Sequence, residues 1–542
     1  MTTSNLSYVA LTALTLLALW PLWSSRPAAW WNGRAAFAGL LLLTIMVAHA
    51  PTLDRREELL NPDESQLLAG ALTLREHFAP WLSVDLSTAG PVSVLPLLLI
   101  PANYVSARWL AAWLAAAAVV FCWLALTSTG DDALTRVAAL PVATFFAFMQ
   151  DTELFQFSTE HVAALLLAIA IWLWMSATAG GENPLKRGPA LGLGVCLGSA
   201  VMAKLQSAPG AAWLALAAGG LALLDSRLAW SRRLTVFAYL VAGATCVPAF
   251  FAFLATAQGV LPDLVQSYAL NNLHYVGSMK HERTGILGYQ PAVVWGLNYL
   301  LKPVGILMLA CLAAGRKFSA TERRIATVSL GLLVASIVAV ALPGRGSRHY
   351  WFFVLGPVVL AFGSVARPAW RCLSARLPGS AANQRWVIVG LVPLLLGLPV
   401  AHRLRTNRDE ALAGVLTQIP TVASAGQKLR ELARPGDKLT VWGWRPELYV
   451  YSGLPQGTRE AHTEWLIEAI PLRDYYRQRF LGDFTRVKPR FFADAVGTGS
   501  YTYPDRTRAS HETFAALREL INRDYDYIGE IDTVRIYTRH DR

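Results

Sequence analysis

The stretch GPVSVLPLLLIPANY, residues 90–104, decides how the rest of the chain is oriented, because a long series of apolar segments follows it. It is apolar enough to enter a membrane, but it is only 15 residues long and holds three prolines. A transmembrane helix needs about 20 residues, and proline interrupts a helix. The stretch therefore either crosses the membrane or lies at its surface, and the charges of other loops have to distinguish the two.

The composition is that of a polytopic membrane protein. Of the 542 residues, 54% are hydrophobic and only 15% are charged. No basic residue precedes the first apolar segment, so we predict a retained span and no cleavable signal peptide. We predict about 12–13 transmembrane helices, with spans at 7–23, 35–50, 107–127, 133–150, 160–178, 188–203, 208–224, 234–257, 293–314, 325–342, 350–366 and 385–401.

The basic residues are distributed unequally between the loops. If residues 90–104 do not span, six loops on one side carry sixteen Lys or Arg, whereas the short loops opposite carry only Lys204, Arg345 and Arg348. Cytoplasmic loops are enriched in Lys and Arg. The sequence therefore predicts that 90–104 lies at the surface, that the six loops are cytosolic and that both termini are external. Since these loops also supply most of the net charge of +12, nucleic-acid binding is a poor interpretation.

This orientation places ionisable residues from several loops on the external face, including the external loops 51–106 and 258–292. Ionisable residues at membrane depth are costly and usually functional. The candidates on this face are Asp63, Glu64, Asp151, Glu153, Glu160, Lys204, Arg345, Arg348 and His349.

The acidic candidates each have a structural and a functional interpretation. Asp63 and Glu64 begin a helical pattern, where acids favour the helix dipole, and they also suit a general base at the membrane surface. Glu160 likewise heads an apolar segment and is a first-turn acid or a catalytic one. Asp151 and Glu153 are expected to be solvated loop charges.

The basic candidates favour an anion site. Lys204 interrupts two apolar segments, where a lysine either extends to the interface or binds a ligand. Arg345 and Arg348 lie within four residues, followed by His349 and Tyr350. Arginine forms paired hydrogen bonds with phosphate. The histidines show no helical pairing with a carboxylate, so a zinc site is not expected. No cofactor is implied, and a requirement for a divalent cation stays open.

The C-terminal part differs in kind from the rest. We predict a transmembrane domain over residues 1–405 and an extracytoplasmic α/β domain over 406–542. In the second, KLTVWGW and RFFADA read as strands, HETFAALRELIN as a helix, and YDYIGEIDTVRIYTR as strands around a turn. Trp442 and Trp444 are expected in its core.

A base and a group of cations, without an evident general acid, suit transfer from a donor whose leaving group is already an anion. A lipid phosphate is such a group, because it needs charge stabilisation and no protonation. The acceptor hydroxyl must lose its proton, and Asp63 is the candidate to take it.

Several motifs resemble the GT-C glycosyltransferases, membrane enzymes that use polyprenyl-phosphate sugars. NPDESQLLAGALTL, beginning at Asn61, resembles their acidic first-loop motif, with the protein O-mannosyltransferases and the lipid A aminoarabinose transferase as the nearest relatives. Later motifs follow in the same order, and the lysine of the usual KPPL-type signature is absent from AGPVSV. The other similar segments are GPVSVLPLLLIPA, FSTEHVAALLLAIAIWL, MAKLQSAPG, GRGSRHYWFFVLGP and, in the tail, VWGWRPELYVYSG.

The resemblance implies an inverting transferase of the bacterial inner membrane, with membrane lipids around it, a polyprenyl-phosphate sugar as donor, and a glycan, lipid or protein as acceptor. It implies Asp63 as the base with Glu64 beside it, and Glu160 as the second-loop acid. The implied donor-phosphate contacts are Lys204, Arg345 and Arg348, with His349 and Tyr350 close by.

Two other functions fit the same residues. A transporter or flippase for a lipid-linked sugar is disfavoured, because the charges gather at one face and not at the midplane. An O-antigen polymerase or ligase with a diphosphate donor is disfavoured by the acidic first loop.

Overall fold

The computed structural model of the protein describes residues 3–23, 33–53, 60–130, 132–148, 152–178, 184–278, 318–343, 347–375, 385–390 and 421–540, with positions 305 and 392. The predicted span 293–314 and most of 385–401 lie outside these residues. So does the predicted domain boundary at residues 405 and 406.

The part of the chain described is a multi-pass helical bundle. Six of its helices are long and apolar enough to cross a membrane, and four shorter helices are also apolar. The helices up to residue 374 are α1 Thr3–Leu19, α2 Arg34–Leu53, α3 Pro62–Glu76, α4 Tyr104–Thr127, α5 Ala133–Val137, α6 Leu140–Phe148, α7 Thr159–Thr178, α8 Arg187–Ala203, α9 Ala208–Leu224, α10 Trp230–Ala257, α11 Leu261–Asp263, α12 Asn271–Ser278, α13 Ala320–Ala341 and α14 Phe352–Ser374.

Side chains fix where the helices of the bundle begin. Asn103 caps α4 by accepting a hydrogen bond from the amide of Ser106 at 2.9 Å. Ser319 and Glu322 form a capping box at the start of α13, in which each side chain accepts from the backbone amide of the other. Such caps satisfy amides that have no partner within the helix.

Small residues allow two long helices to pack closely. A Cβ atom added to Gly194 of α8 would lie 2.2 Å from the carbonyl oxygen of Leu240 in α10. A Cβ atom added to Gly243 of α10 would lie 2.3 Å from the carbonyl oxygen of Leu191. The glycines are therefore required for this close approach, a common arrangement in membrane bundles.

The loops predicted to be cytosolic meet at one end of the bundle, which we call the basic end. Arg34 donates to the carbonyl of Thr127 at 3.1 Å, and Arg324 donates to the carbonyl of Thr178 at 2.9 Å. Arg367 pairs with Asp132 at 2.7 Å. These arginines satisfy carbonyls at helix C-termini and favour the helix dipoles there.

Residues 90–104 do not span, as the charge distribution predicts. They form two short 3₁₀ turns, Pro91–Ser93 and Leu95–Leu99, across the end of the bundle opposite the basic end. The amide of Gly90 donates to the carbonyl of Ala203 at 2.9 Å. Arg75 donates to carbonyls at the end of the stretch, including that of Leu97 at 2.6 Å.

The segment predicted as a span at 133–150 is an apolar helix that is interrupted, and its last two residues lie outside those described. The chain there forms two short helices, α5 and α6, that meet at Ala138 and Ala139. Pro141, in the first turn of α6, cannot donate the amide hydrogen bond that a continuous helix would require.

The C-terminal part is an α/β domain with a four-stranded sheet, and its predicted strands and helix are confirmed. The strand order is β1-β2-β4-β3, in which β1 and β2 are parallel and the other pairs are antiparallel. Its elements are α15 Ala423–Leu432, β1 Leu439–Trp442, α16 Glu447–Ser452, α17 Glu464–Ile467, α18 Arg473–Val487, β2 Phe491–Asp494, α19 Arg506–Ala509, α20 Ala515–Asp524, β3 Tyr525–Ile531 and β4 Val534–Arg539.

Both tryptophans of this domain are expected in its core, and the structure confirms this fully only for Trp442. Trp442 is completely buried, and its indole nitrogen donates to the carbonyl of Ala509 at 2.8 Å. Trp444 is partly buried and stacks on His462, with 5.3 Å between the ring centres.

The domain lies against the end of the bundle that carries residues 90–104. The amide of Asp85 donates to the carbonyl of Arg459 at 2.7 Å. The amide of Gln456 donates to the hydroxyl of Thr73 in α3 at 3.0 Å. The α/β domain therefore covers the face on which the predicted site residues lie.

Candidate active site

Asp63 lies exposed at the start of α3, and the residue that caps this helix is Asn61. The Asn61 side chain accepts from the amide of Asp63 at 2.8 Å and donates to Gln156 at 2.9 Å. Pro62 occupies the first helical position. Asn61 therefore caps the helix, and the carboxylate of Asp63 is exposed. The hydrogen bonds of Asn61 and the ring of Pro62 fix the backbone from which Asp63 extends.

Glu64, the next residue, is completely buried. One carboxylate oxygen accepts from Nε and Nη2 of Arg108 at 3.2 and 2.9 Å, and the other accepts from the amide of Phe157 at 2.9 Å. Burial raises the pKa of Glu64 above its ordinary value, against the opposing effect of Arg108. Glu64 therefore joins α3 to α4 and to the loop before α7.

Glu153 is not a solvated loop charge. Its Oε2 accepts from the amide of Arg348 at 2.8 Å and lies 3.1 Å from Nδ1 of His349. Although burial opposes the charged form, these partners hold the pKa of Glu153 below its ordinary value. The other acid expected there, Asp151, lies outside the described residues, as does Arg345.

The 3₁₀ turn Arg348–Trp351 brings the C-terminal candidates of the bundle to this end. Arg348 is half-buried there, while His349 and Tyr350 are buried with 4.8 Å between their ring centres. His349 interacts electrostatically with Asp63 and Glu160 as well as with Glu153. Among these carboxylates, that of Glu153 contacts the histidine ring directly.

Lys204 and Glu160 form an ion pair at the same end. The distance from Nζ of Lys204 to Oε1 of Glu160 is 3.5 Å, and the hydroxyl of Thr159 donates to the other oxygen at 3.0 Å. Lys204 has an extended backbone between α8 and the turn Leu205–Ser207, which directs the chain across the end of the bundle. The lysine side chain is 12% exposed and Glu160 is almost fully buried.

A group of buried charges joins the α/β domain to the bundle near the Lys204 turn. We call it the docking cluster, and its members are Asp85, Asp263, Arg459, Glu460, Arg479 and Asp483. Arg479 pairs with Asp85 at 2.6 Å, with Glu460 at 2.8 Å and with Asp263 at 3.2 Å. Arg459 pairs with Asp263 and Asp483. No local sequence pattern indicates these residues, because the partners of Arg479 lie up to 394 positions away along the chain.

The cluster is connected to the Lys204 turn through two segments. Asp85 precedes Ala89, which pairs with Lys204 in a short antiparallel bridge. Asp263 precedes the π-helical segment Leu264–Leu270, in which the hydroxyl of Tyr268 donates to the carbonyl of Val201. Contacts made by the α/β domain are therefore linked to Lys204 and to the last turn of α8.

The described residues contain no group of three or more His, Cys, Asp or Glu arranged to hold a metal ion. Three acids of the site pair with basic side chains of this same chain: Glu64 with Arg108, Glu153 with His349 and Glu160 with Lys204.

Solved structures with a similar fold are found, although their sequences are only distantly similar to this one. ArnT from Cupriavidus metallidurans bound to undecaprenyl phosphate matches with a TM-score of 0.52 and 15% identity, over 93% of this chain and 98% of that one. The same protein in the apo state matches with a TM-score of 0.51, 15% identity and the same coverage. The chain has the GT-C fold.

A further structure with the GT-C fold is more distant. The oligosaccharyltransferase AglB from Archaeoglobus fulgidus, in complex with an inhibitory peptide and a dolichol-phosphate, matches with a TM-score of 0.46 and 12% identity. The match covers 86% of this chain and 70% of that one. No protein-family model and no curated protein sequence matches the chain.

Proposed function

We propose that this protein is an inverting glycosyltransferase that moves a sugar from a polyprenyl-phosphate donor to an acceptor hydroxyl. One observation carries the proposal: an exposed acid, Asp63, and the basic residues Lys204 and Arg348 gather at one end of a bundle with the GT-C fold. ArnT, which shares this fold, binds undecaprenyl phosphate.

In this proposal the basic residues hold the donor phosphate. Lys204 supplies a point charge and Arg348, with Arg345, supplies forked donors that stabilise the departing phosphate. Glu160 and Glu153 keep Lys204 and the turn at His349 in place through the contacts described above. Tyr350 packs behind His349 and limits its movement.

Asp63 is the proposed base. It accepts the proton of the acceptor hydroxyl while that oxygen attacks the anomeric carbon, and the bond from this carbon to the phosphate oxygen breaks. Attack on the side opposite the phosphate inverts the configuration of the sugar. Glu64 contributes by fixing the helix that carries Asp63, since both of its oxygens already accept hydrogen bonds from Arg108 and Phe157.

We place this site on the external face of a bacterial inner membrane, with the α/β domain controlling acceptor access. The arginine-rich opposite end supports this orientation, because basic loops are retained in the cytoplasm. In a cysteine-free variant, a cysteine at Ser347 should react with a membrane-impermeant maleimide outside intact cells, and one at the exposed Ser226 should not. The reverse pattern would contradict the orientation.

Donor class is tested with purified protein in nanodiscs, a set of radiolabelled polyprenyl-monophosphate sugars and their diphosphate counterparts. We expect transfer from at least one monophosphate donor. Lys204→Met should raise the donor KM about 10- to 100-fold, because a charge-assisted contact is lost. Lys186→Met, at the basic end, serves as the control. Transfer from diphosphate donors alone would contradict the proposal, as would a Lys204→Met variant with unchanged donor KM.

A further inference from the structure

At the basic end, two adjoining hollows open between helices, far from the candidate active site. One runs between α9 and α13 and holds about 780 Å³ of open space, with Trp213, Ala217 and Leu221 along one wall. The other has a similar volume and lies beside Ser226 and Arg227. Leu221 and Arg324 line both hollows, so the two meet at these side chains.

The first hollow has the form of a groove that descends from the membrane surface. Its wall residues Trp213, Ala217 and Leu221 are spaced four apart on α9 and share one face of that helix. Eight residues of helix correspond to about 12 Å. The groove therefore reaches from the arginines near the start of α13 well into the apolar layer.

Two features keep the groove open and apolar. The indole nitrogen of Trp213 donates to the carbonyl of Val328 at 2.9 Å, which fixes the ring against α13. A Cβ atom added to Gly331 would lie 2.1 Å from that ring, so only glycine leaves room for it. The tryptophan thus forms a rigid floor for an apolar chain.

The upper end of the groove is positively charged. Arg323 is exposed and Arg324 is half-buried beside it. Arg227, which pairs with Asp225 at 2.8 Å, interacts electrostatically with Arg324. Of these four charges three are positive, so the group carries a net charge of +2, and the single negative charge of a lipid phosphate would offset half of it.

Arg324 uses only some of its hydrogen-bond donors to cap α7. Its Nη2 donates to the carbonyl of Thr178 at the end of α7. Its Nε is buried and has no hydrogen-bond partner within the portion of the chain that the structure describes. A buried polar group without a partner is costly, so this nitrogen is an available donor for a phosphate oxygen.

We propose that this groove binds an anionic phospholipid, with the phosphate between Arg323 and Arg324 and one acyl chain along the groove toward Trp213. The charge selects the anionic headgroup, and the length and apolar wall select a chain over a free anion. The site is separate from the proposed donor site, which lies at the opposite end of the bundle.

The test measures lipid retention by native mass spectrometry after delipidated protein is mixed with phosphatidylglycerol or phosphatidylethanolamine. The wild type should retain phosphatidylglycerol preferentially. Each arginine near an anionic lipid contributes roughly fivefold, so Arg323→Gln with Arg324→Gln should reduce this preference by about 25-fold. Arg232→Gln, an exposed arginine at the same end, is the matched control and should leave the preference unchanged.

A second variant keeps the test informative if the double variant folds poorly. Leu221→Trp retains every charge but fills the groove, and it should also reduce the retention of phosphatidylglycerol. Soluble glycerol phosphate in excess should not displace the lipid. An unchanged preference for phosphatidylglycerol in the double variant, an equal loss in Arg232→Gln, or displacement by glycerol phosphate would each overturn the proposal.

Discussion

Asp63 and Glu64 are adjacent in the chain but lie in opposite surroundings. Asp63 is exposed, whereas Glu64 is completely buried among partners from α4 and the loop before α7. A base must reach a substrate hydroxyl, and a carboxylate whose two oxygens both accept buried hydrogen bonds is poorly placed to do so. The division of roles between the two acids therefore follows from their positions on the helix.

Asp63→Asn keeps the shape of the side chain and removes its basicity. We expect kcat to fall by about 10²- to 10⁴-fold while donor binding persists, because the residue acts on the acceptor proton. Steady-state transfer kinetics measure both values. Asp474→Asn changes an exposed first-turn acid of α18 and is the matched control. Near wild-type turnover in Asp63→Asn would remove it as the base.

Glu64→Gln should act mainly on stability. The substitution weakens the charge pairing of the buried Arg108, which we expect to lower the free energy of unfolding by about 3 kcal/mol. Thermal unfolding in detergent measures this, with Asp63→Asn as the comparison. A Glu64→Gln variant that unfolds like the wild type but loses as much turnover as Asp63→Asn would assign Glu64 a direct role in the reaction.

Among the elements, the stretch at 90–104 packs closely against the turn that carries Lys204. Its first residue, Gly90, lies against the last turn of α8, immediately before Lys204. A Cβ atom on Gly90 would lie 1.9 Å from the carbonyl oxygen of Met202. The stretch and the Lys204 turn therefore fit together only because position 90 has no side chain.

Gly90→Ala should displace this stretch from the Lys204 turn. Overpacking of this kind costs about 1–3 kcal/mol of stability, and we expect a raised donor KM with it. Gly220→Ala, in α9, is the control: its added Cβ atom meets nothing within 4 Å, and the change should be neutral or stabilising. If the two alanine variants behave alike in unfolding and in transfer kinetics, the close contact at Gly90 is unimportant.

The elements most predictable from sequence are those with a local cause. KLTVWGW and RFFADA read as short strands and form β1 and β2, which are buried at every position. The loop charges predict the position of 90–104 at the end of the bundle. The break before Pro141 does not follow from the apolar pattern of residues 133–150, which is typical of one continuous span. The contact of Glu153 with His349 depends on the packing of two distant segments, which no local pattern reports.

At the scale of the whole molecule, the docking cluster makes the bundle and the α/β domain dependent on each other. Arg479 and its three carboxylate partners are largely buried. Buried charges are tolerated when they pair closely with opposite charges. Removal of one partner leaves the others buried without compensation, which destabilises the folded protein. The domain is therefore attached by interactions that also position the segments beside Lys204.

Arg479→Met should leave Asp85 and Glu460 without their shared partner and lower the free energy of unfolding by about 3–5 kcal/mol. Arg486→Met is the matched control, because Arg486 is 58% exposed and its pair with Asp483 should contribute no more than about 1 kcal/mol. Thermal unfolding compares the two. Equal, small effects would show that the cluster does not hold the domain in place.

The central claim is that the sugar leaves a lipid phosphate and joins an acceptor hydroxyl with inversion. It is tested most directly in proteoliposomes with a polyprenyl-phosphate sugar that carries one radiolabel in the sugar and another in the phosphorus. The account predicts that the sugar label moves to the acceptor with inverted anomeric configuration, while the phosphorus label stays with the lipid. Movement of both labels together, as intact donor crossing the bilayer or as a transferred phosphosugar, would contradict it.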